Sequence, residues 1–493
     1  MPELPGQTVD YSTVVGVSRK VAGGWAMDFS TGYGYNFLDM WANNTTNPSM
    51  GSASPTNFYV GRNGFGQSTT ELNLSRNYTG VLNLKSLNLA FGGQYRVDQY
   101  TLGAGSPESY FVGPLAKTKN KAPGSSGRPG IGPEDATKQN RSNIGLYADV
   151  EADVTSRFLV ATAVRFENYS DFGANVSGKF ATRLKLSDAF SVRGSINKGF
   201  RAPSLQQTYN SQTTSTVQAG VIVQTKQLPV SDPRLAKIGI EAPKAETSWN
   251  YNLGLTAKAG SDWLMTLDAY QIDIQDRIIV SERMIVKDIT ALKVPFAGLS
   301  EIRFFTNHIN TRTRGIDFVT SYKHAFTPKN RLTASLALTF NETKIVGQKK
   351  TPSLLQAETV KPILMIDTVS IGLIETAQPR QKILLSVGYT VNKVTLNWRT
   401  SYFGPVTAYE KPAGKPHISQ TFAGKTLNDF TIVYAPAPKF SFSVGANNLF
   451  DVYPDKVLAT TAAYSNGEIP YTRNANQFGF NGAYYYVNAT VNF

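Results

Sequence analysis

Hydrophobic and polar side chains alternate one for one along much of this sequence, most cleanly in its last stretch. In residues 479–493 (GFNGAYYYVNATVNF), counting back by twos from Phe493 gives Val491, Ala489, Val487, Tyr485 and Ala483. The other parity gives Asn492, Thr490, Asn488, Tyr486 and Tyr484. Successive side chains of a β-strand point to opposite faces, so this segment reads as a strand with one apolar and one polar side. Two settings suit it: the wall of an outer-membrane barrel, apolar toward lipid and polar toward the lumen, or the last strand of a soluble sandwich.

The rest of the chain decides between them. Period-2 alternation predicts seventeen strands, near residues 8–18, 25–36, 67–78, 84–101, 141–154, 157–169, 174–187, 190–200, 246–259, 262–280, 302–325, 331–345, 379–391, 393–404, 424–435, 438–450 and 479–493. The odd-numbered connections are short, such as 155–156, 260–261 and 392. The even-numbered ones are long, such as 103–140, 201–245 and 451–478, with 170–173 the short exception. Short turns on one side and long loops on the other are the arrangement of an outer-membrane barrel, with turns in the periplasm and loops outside the cell; a sandwich has no reason to keep that parity. The expected fold is all-β, a transmembrane antiparallel β-barrel. Within strands, Val176, Phe180 and Leu184 oppose Lys179, Arg183 and Lys185, which places the basic residues in the lumen, since a charge facing lipid at mid-depth costs about 2–4 kcal/mol. The alternation slips around 268–274, where a bulge is expected.

Composition narrows the function. The sequence holds no stretch of 18 apolar residues and has a mean hydropathy of −0.23, which excludes a helical membrane protein but not a barrel. With no cysteine, disulfides, thiol catalysis and Cys-ligated zinc are excluded; the three histidines, His308, His324 and His417, are too scattered for a metal site, and no cofactor is expected. The net charge of +14 is spread over strands and loops without a basic block or nucleic-acid motif, so no nucleic-acid partner is expected. The start, MPELPGQTVDYST, lacks the basic-then-apolar pattern of a signal peptide. The chain is therefore expected to lack its natural beginning.

Three segments carry a family resemblance: 191–205 (SVRGSINKGFRAPSL), 445–455 (GANNLFDVYPD) and the terminal 479–493, supported by 166–173 (FENYSDFG) and 312–317 (RTRGID). Together they resemble the late barrel motifs of TonB-dependent outer-membrane receptors. The resemblance implies active uptake of a scarce nutrient, most often a ferric siderophore or another iron chelate, across the outer membrane of a Gram-negative bacterium. It implies the TonB energising complex as a partner, and a terminal signal for the barrel-assembly machinery formed by Tyr485, Val487, Val491 and Phe493. Receptors of this type resemble 22-stranded barrels filled by an N-terminal plug. Here residues 1–493 read as barrel alone, without the plug, the N-terminal box that engages the partner or the first five strands. With strand seventeen finishing in the periplasm, the first strand would run inward, as a sixth strand does.

For ligand binding, Lys179, Arg183, Arg193 and Arg399 in the lumen and Arg201 in a loop are candidates to draw in an anionic chelate, since a cleft of one charge sign concentrates its counter-ion. Trp41, Tyr110 and Tyr209 are candidate loop aromatics for a pocket; each also has a purely structural reading, packing one loop on another. No G-x-S-x-G elbow or clustered Ser/His/Asp set appears, so a transporter is expected rather than an enzyme. The alternative is a passive pore or adhesive outer-membrane barrel.

Overall fold

The computed structural model describes residues 3–218, 221–356, 363–410, 417–458, 470–472, 474–475 and 477–492. Its strands begin with β1 (Gly6–Lys20), β2 (Ala26–Ala42), β3 (Phe58–Thr79), β4 (Ser86–Gly103), β5 (Thr137–Asp153), β6 (Phe158–Tyr169), β7 (Gly173–Lys185) and β8 (Phe190–Arg201). There follow β9 (Gln212–Gln218), β10 (Val221–Leu228), β11 (Glu246–Ala259), β12 (Trp263–Val280), β13 (Met284–Ile285), β14 (Glu301–Thr327) and β15 (Asn330–Gln348). The last are β16 (Gln381–Val391), β17 (Val394–Phe403), β18 (Val406–Glu410), β19 (Ile418–Phe422), β20 (Lys425–Ala437), β21 (Phe440–Asn447) and β22 (Tyr484–Val491).

Seventeen of these, all but β9, β10, β13, β18 and β19, form one antiparallel meander in which each strand pairs with the next, from β1–β2 to β21–β22. They are the seventeen expected from the alternation. The wall keeps its apolar side outward: Val176, Phe180 and Leu184 of β7 and Val192 and Ile196 of β8 share a face, while Lys179, Arg183 and Arg193 share the other. Val487 on β22 is 75% exposed. An apolar side chain that exposed is costly in water and at home in hydrocarbon. Tight turns join the wall at one end, using residues that tolerate positive φ where the chain reverses, such as Gly260 (φ 60°) and Asn392 (φ 52°).

On the polar side, tyrosines lie across glycines of the neighbouring strand. Tyr147 faces Gly92, Tyr270 faces Gly315 and Tyr486 faces Gly445, and a Cβ built at any of these glycines would collide with the ring. The bulge is not at 268–274. There β12 pairs regularly with β14, and the register shifts later, between Ile274 and Arg277, with Asp276 at φ 54°. The alternation slips earlier because Asp273 pairs with Arg312 at 2.6 Å while Gln271 bonds both Asp273 and Arg314. These polar groups belong to the part of the strand pair that rises above hydrocarbon.

At the other end the long connections fold. β9 and β10 form a hairpin whose β10 runs parallel to the tip of β14, from Thr225 beside Glu301 to Leu228 beside Phe304; β13 pairs with the same tip, and β18 with β19. Three apolar clusters sit there. The largest gathers Leu228, Leu235, Ile238, Met284, Leu292, Phe296, Ile302, Phe304 and Leu355. A second joins Met40, Phe58, Val60, Tyr100, Leu102, Ile131 and Leu205, and the third Ala377, Val406, Ala408 and Phe422.

Candidate functional site at the loop-side mouth and the luminal wall

The segments 191–205 and 445–455 run from wall strands into fastenings of the loop end, while 312–317 lies within β14. Arg201, the last residue of β8, donates through Nε to Glu246 Oε2 at 2.9 Å, and buried Glu246 also accepts from the Ile278 amide at 2.7 Å. Ser204 then caps a helical turn at Leu205–Tyr209, reciprocally with Gln207, and drives Leu205 into the second cluster. In 445–455, Asn448 (φ 51°) accepts from Val452 N at 3.0 Å and donates back to Val452 O at 2.8 Å, while its own amide bonds Asp429. Asp455 receives Lys425 Nζ at 2.6 Å and the Ala423 amide at 2.7 Å. The Lys425 ammonium and that amide hold the Asp455 carboxyl below the usual carboxylate range.

In 166–173, Tyr169 stacks on Phe172, with the Arg141 guanidinium against both rings. Arg141 bonds Asp98 at 3.0 Å and reaches Asp171 at 3.7 Å. Burial pushes the Asp171 carboxyl up, against the opposing pull of Arg141. Another fastening joins two long loops: buried Asp135 accepts from Lys226, Ser211 and Thr213.

The candidate cations therefore divide. Arg193 is on the luminal face as expected, but it is bonded to Asp268 at 2.7 Å and to Thr256 at 2.7 Å, and Arg201 is clamped by Glu246. Lys179, Arg183 and Arg399 are exposed on the luminal face, with no ion pair among the described residues. Arg399 stands across from Asp429 on β20 and lines a polar cleft of about 410 Å³ with Lys323, Asn397, Asn447 and Tyr486. The structure does not bring Arg399 together with Lys179 and Arg183, which lie far round the meander on β7.

One aromatic sits elsewhere than expected. Trp41 belongs to β2 rather than a loop, because its strand continues to Ala42, and it packs on Tyr59 with centroids 5.7 Å apart. Tyr209 packs half-buried against the second cluster. Tyr110 ends a one-turn helix and is half-buried. Tyr485, Val487 and Val491 all point outward from β22, while Phe493 lies outside the described residues.

Sequence reasoning missed a second cleft of about 280 Å³, on the loop side, where Lys244, Lys349, Lys350, His308 and Asn307 converge with Glu241. Lys349 reaches it because its amide bonds the His308 carbonyl at 2.8 Å, aligning the end of β15 with β14. Lys349 is paired with Asp276 at 2.6 Å and Lys244 with Glu241 at 3.2 Å. The Lys349–Lys350 pair directly after a long alternating run was the one local signal.

Comparison with known proteins agrees with this architecture. Residues 6–449 match the family model described as TonB dependent receptor-like, beta-barrel. The structure is similar to the siderophore receptor PirA of Acinetobacter baumannii (15% identity, TM-score 0.63, 99% of this chain and 63% of that one). It is also similar to the pyoverdine outer membrane receptor FpvA of Pseudomonas aeruginosa PAO1, in its pyoverdine-bound form (12% identity, TM-score 0.61, 99% and 62%). A stretch of 134 residues, 27% of this chain, is 27% identical to the ferric enterobactin receptor PirA of P. aeruginosa and covers 17% of that receptor. The chain thus spans less than two thirds of the length of these two structures. With most of its length matched, the chain belongs to the TonB dependent receptor-like, beta-barrel family of transport receptors, placed in the outer membrane of Gram-negative bacteria.

Proposed function

We propose that this chain is the barrel portion of a receptor that takes up a ferric siderophore or similar iron chelate with energy delivered through TonB, and that it acts as a transporter rather than an enzyme. The observation that carries the reading is the mouth. Long loops with their own apolar clusters are fastened by buried ion pairs above a polar lumen, so they stand preformed around the entrance, as a small-molecule site needs. The similarity to PirA, a siderophore receptor, and FpvA, a pyoverdine receptor, supports the ligand class.

Within this reading, Lys179, Arg183 and Arg399 guide an anionic chelate along the lumen, and the cleft with Lys244, Lys349 and Lys350 receives it first. Arg193, Arg201 and Tyr209 shape the mouth through their structural partners. Tyr485, Val487, Val491 and Phe493 form the signal for the barrel-assembly machinery, and the plug and the TonB-contacting segment belong to the rest of the receptor. The test is uptake of radioactive iron from a panel of ferric siderophores by iron-starved cells whose own receptors are deleted, carrying the full reading frame. Uptake of at least one chelate that disappears when TonB is deleted is the expected result. TonB-independent uptake of small solutes of every kind would establish a passive pore instead.

A further inference from the structure

Several loop-side cations are paired: Arg62 with Asp39, Arg141 with Asp98, Arg201 with Glu246, Lys226 with Asp135, Arg234 with Asp232 and Lys425 with Asp455. The turn side differs. Eight tight turns join the wall strands there, and every one carries a basic residue in the turn or within two residues of it: Lys20, Lys85, Arg157, Lys185, Lys258, Lys329, Lys393 and Lys439. All eight are exposed, and none is in an ion pair among the described residues. The acids of that rim are Asp153, Asp188 and Asp262, of which Asp153 binds Ser86 and Asp262 binds His324. They stand at the turns before β14; the turns carrying Lys329, Lys393 and Lys439 hold no acid.

Those three turns are neighbours. The Asn392 amide donates to Lys329 O at 2.8 Å, and Ala435 N to Lys393 O at 2.8 Å, so the three turns stand side by side at one sector of the rim. Just above that sector the outward face is notched. Small Ala334 stands beside Tyr322 in the register, and with Trp263, Leu336 and Leu385 it outlines an apolar cleft of about 410 Å³ that opens on the lipid side. Trp263 and Tyr322 pack edge to face, 5.7 Å apart, at the depth of an interfacial aromatic belt. An apolar notch opening to hydrocarbon is filled by an acyl chain, because a void there forfeits dispersion contacts. Cations a few residues below it stand at headgroup height.

We propose that this sector, from β14 to β21, binds an acidic phospholipid of the periplasmic leaflet, its phosphate held by Lys329, Lys393 and Lys439 and one acyl chain lying in the notch at Ala334. Charge decides for an acidic over a zwitterionic headgroup: three ammonium groups with neither an ion pair nor an acid in their turns among the described residues attract net negative charge, and basic residues near an anionic membrane surface favour binding by about fivefold each. The inference rests on the membrane setting of the proposed function but not on its ligand.

The experiment folds the chain into phosphatidylcholine vesicles with and without phosphatidylglycerol, extracts it gently and counts retained lipids by native mass spectrometry. The wild type is expected to retain phosphatidylglycerol over phosphatidylcholine by about fivefold or more, with the preference lost at high salt, where charges are screened within about 3 Å. The combined Lys329→Gln, Lys393→Gln and Lys439→Gln variant should lose the preference and the corresponding triple Arg variant should keep it; Ala334→Leu should lower retention of both lipids. Equal retention by the wild type, or a preference unmoved by both salt and the Gln variant, overturns the proposal. A wild-type chain that enters neither vesicle overturns it together with the membrane setting, whereas insertion without lipid preference overturns this inference alone.

Discussion

In the wall, Val176, Phe180 and Leu184 are exposed, and the polar side chains face inward. In the loop end, Leu292, Phe296, Ile302, Phe304 and Leu355 are wholly buried, and Arg234 beside them is paired with Asp232. The same residue types thus take opposite positions within one chain, because the surroundings change from hydrocarbon to water a few residues beyond the strands. The wall needs no core: between its first and last strands the backbone groups are satisfied by the ladder, and its apolar side by lipid. The loops have neither, so they build small cores and buried ion pairs, and only then can they stand above the lumen in one shape.

The largest effect expected from this contrast is in the loops. Phe304→Ala or Phe296→Ala removes a fully buried ring from the largest cluster and should cost about 3–5 kcal/mol. The loss should be local: faster hydrogen exchange over 228–240 and 284–304, with the heat-modifiable gel mobility of the folded barrel unchanged.

Next in size is a charge on the outward face. Phe180→Arg should cost about 2–4 kcal/mol in the urea midpoint for folding into vesicles, while Lys179→Gln next to it, facing the lumen, should stay within about 0.5 kcal/mol of the wild type.

A smaller effect separates the two faces of the wall itself. Gly315→Ala places a methyl group against the Tyr270 ring and should cost about 1–3 kcal/mol in the same titration. The double variant Gly315→Ala with Tyr270→Ala should recover part of it.

The smallest is a pH effect on one fastening. Asp455 has a lowered pKa when folded, so its bonds to Lys425 and the Ala423 amide contribute above the ordinary carboxylate value of about 4 and are lost as pH falls through the lower folded value. Exchange of the Ala423 amide, corrected for its intrinsic rate, should accelerate below about pH 4. In Asp455→Asn it should be fast at every pH.

The wall was legible in the sequence because strand alternation is local: each of the seventeen strands announces its own face within a dozen residues. β9, β10, β13, β18 and β19 were not, since each is stabilised by a partner outside its own pattern, as β10 is by the β14 tip. The candidate site was half legible. That Lys179, Arg183, Arg193 and Arg399 face inward follows from parity alone. That Arg193 and Arg201 are occupied does not, because Asp268 lies 75 residues from Arg193 and Glu246 lies 45 from Arg201. The 268–274 irregularity was visible but misread. A loss of alternation can mean an extra residue or a change of surroundings, and here the polar outward pair Asp273 and Arg312 marks the change of surroundings.

The central claim, that the apolar side of the wall faces lipid, can be tested by single cysteines, since the chain has none of its own. Nitroxide labels placed one at a time from position 175 to 184 in vesicles would be scored for collision with oxygen, which concentrates in hydrocarbon, and with a water-soluble nickel chelate. The barrel predicts oxygen maxima at 176, 180 and 184 and nickel maxima at 179 and 183. Nickel access at 176 and 180 equal to that at 179 and 183 would contradict it and place β7 in a water-soluble sheet.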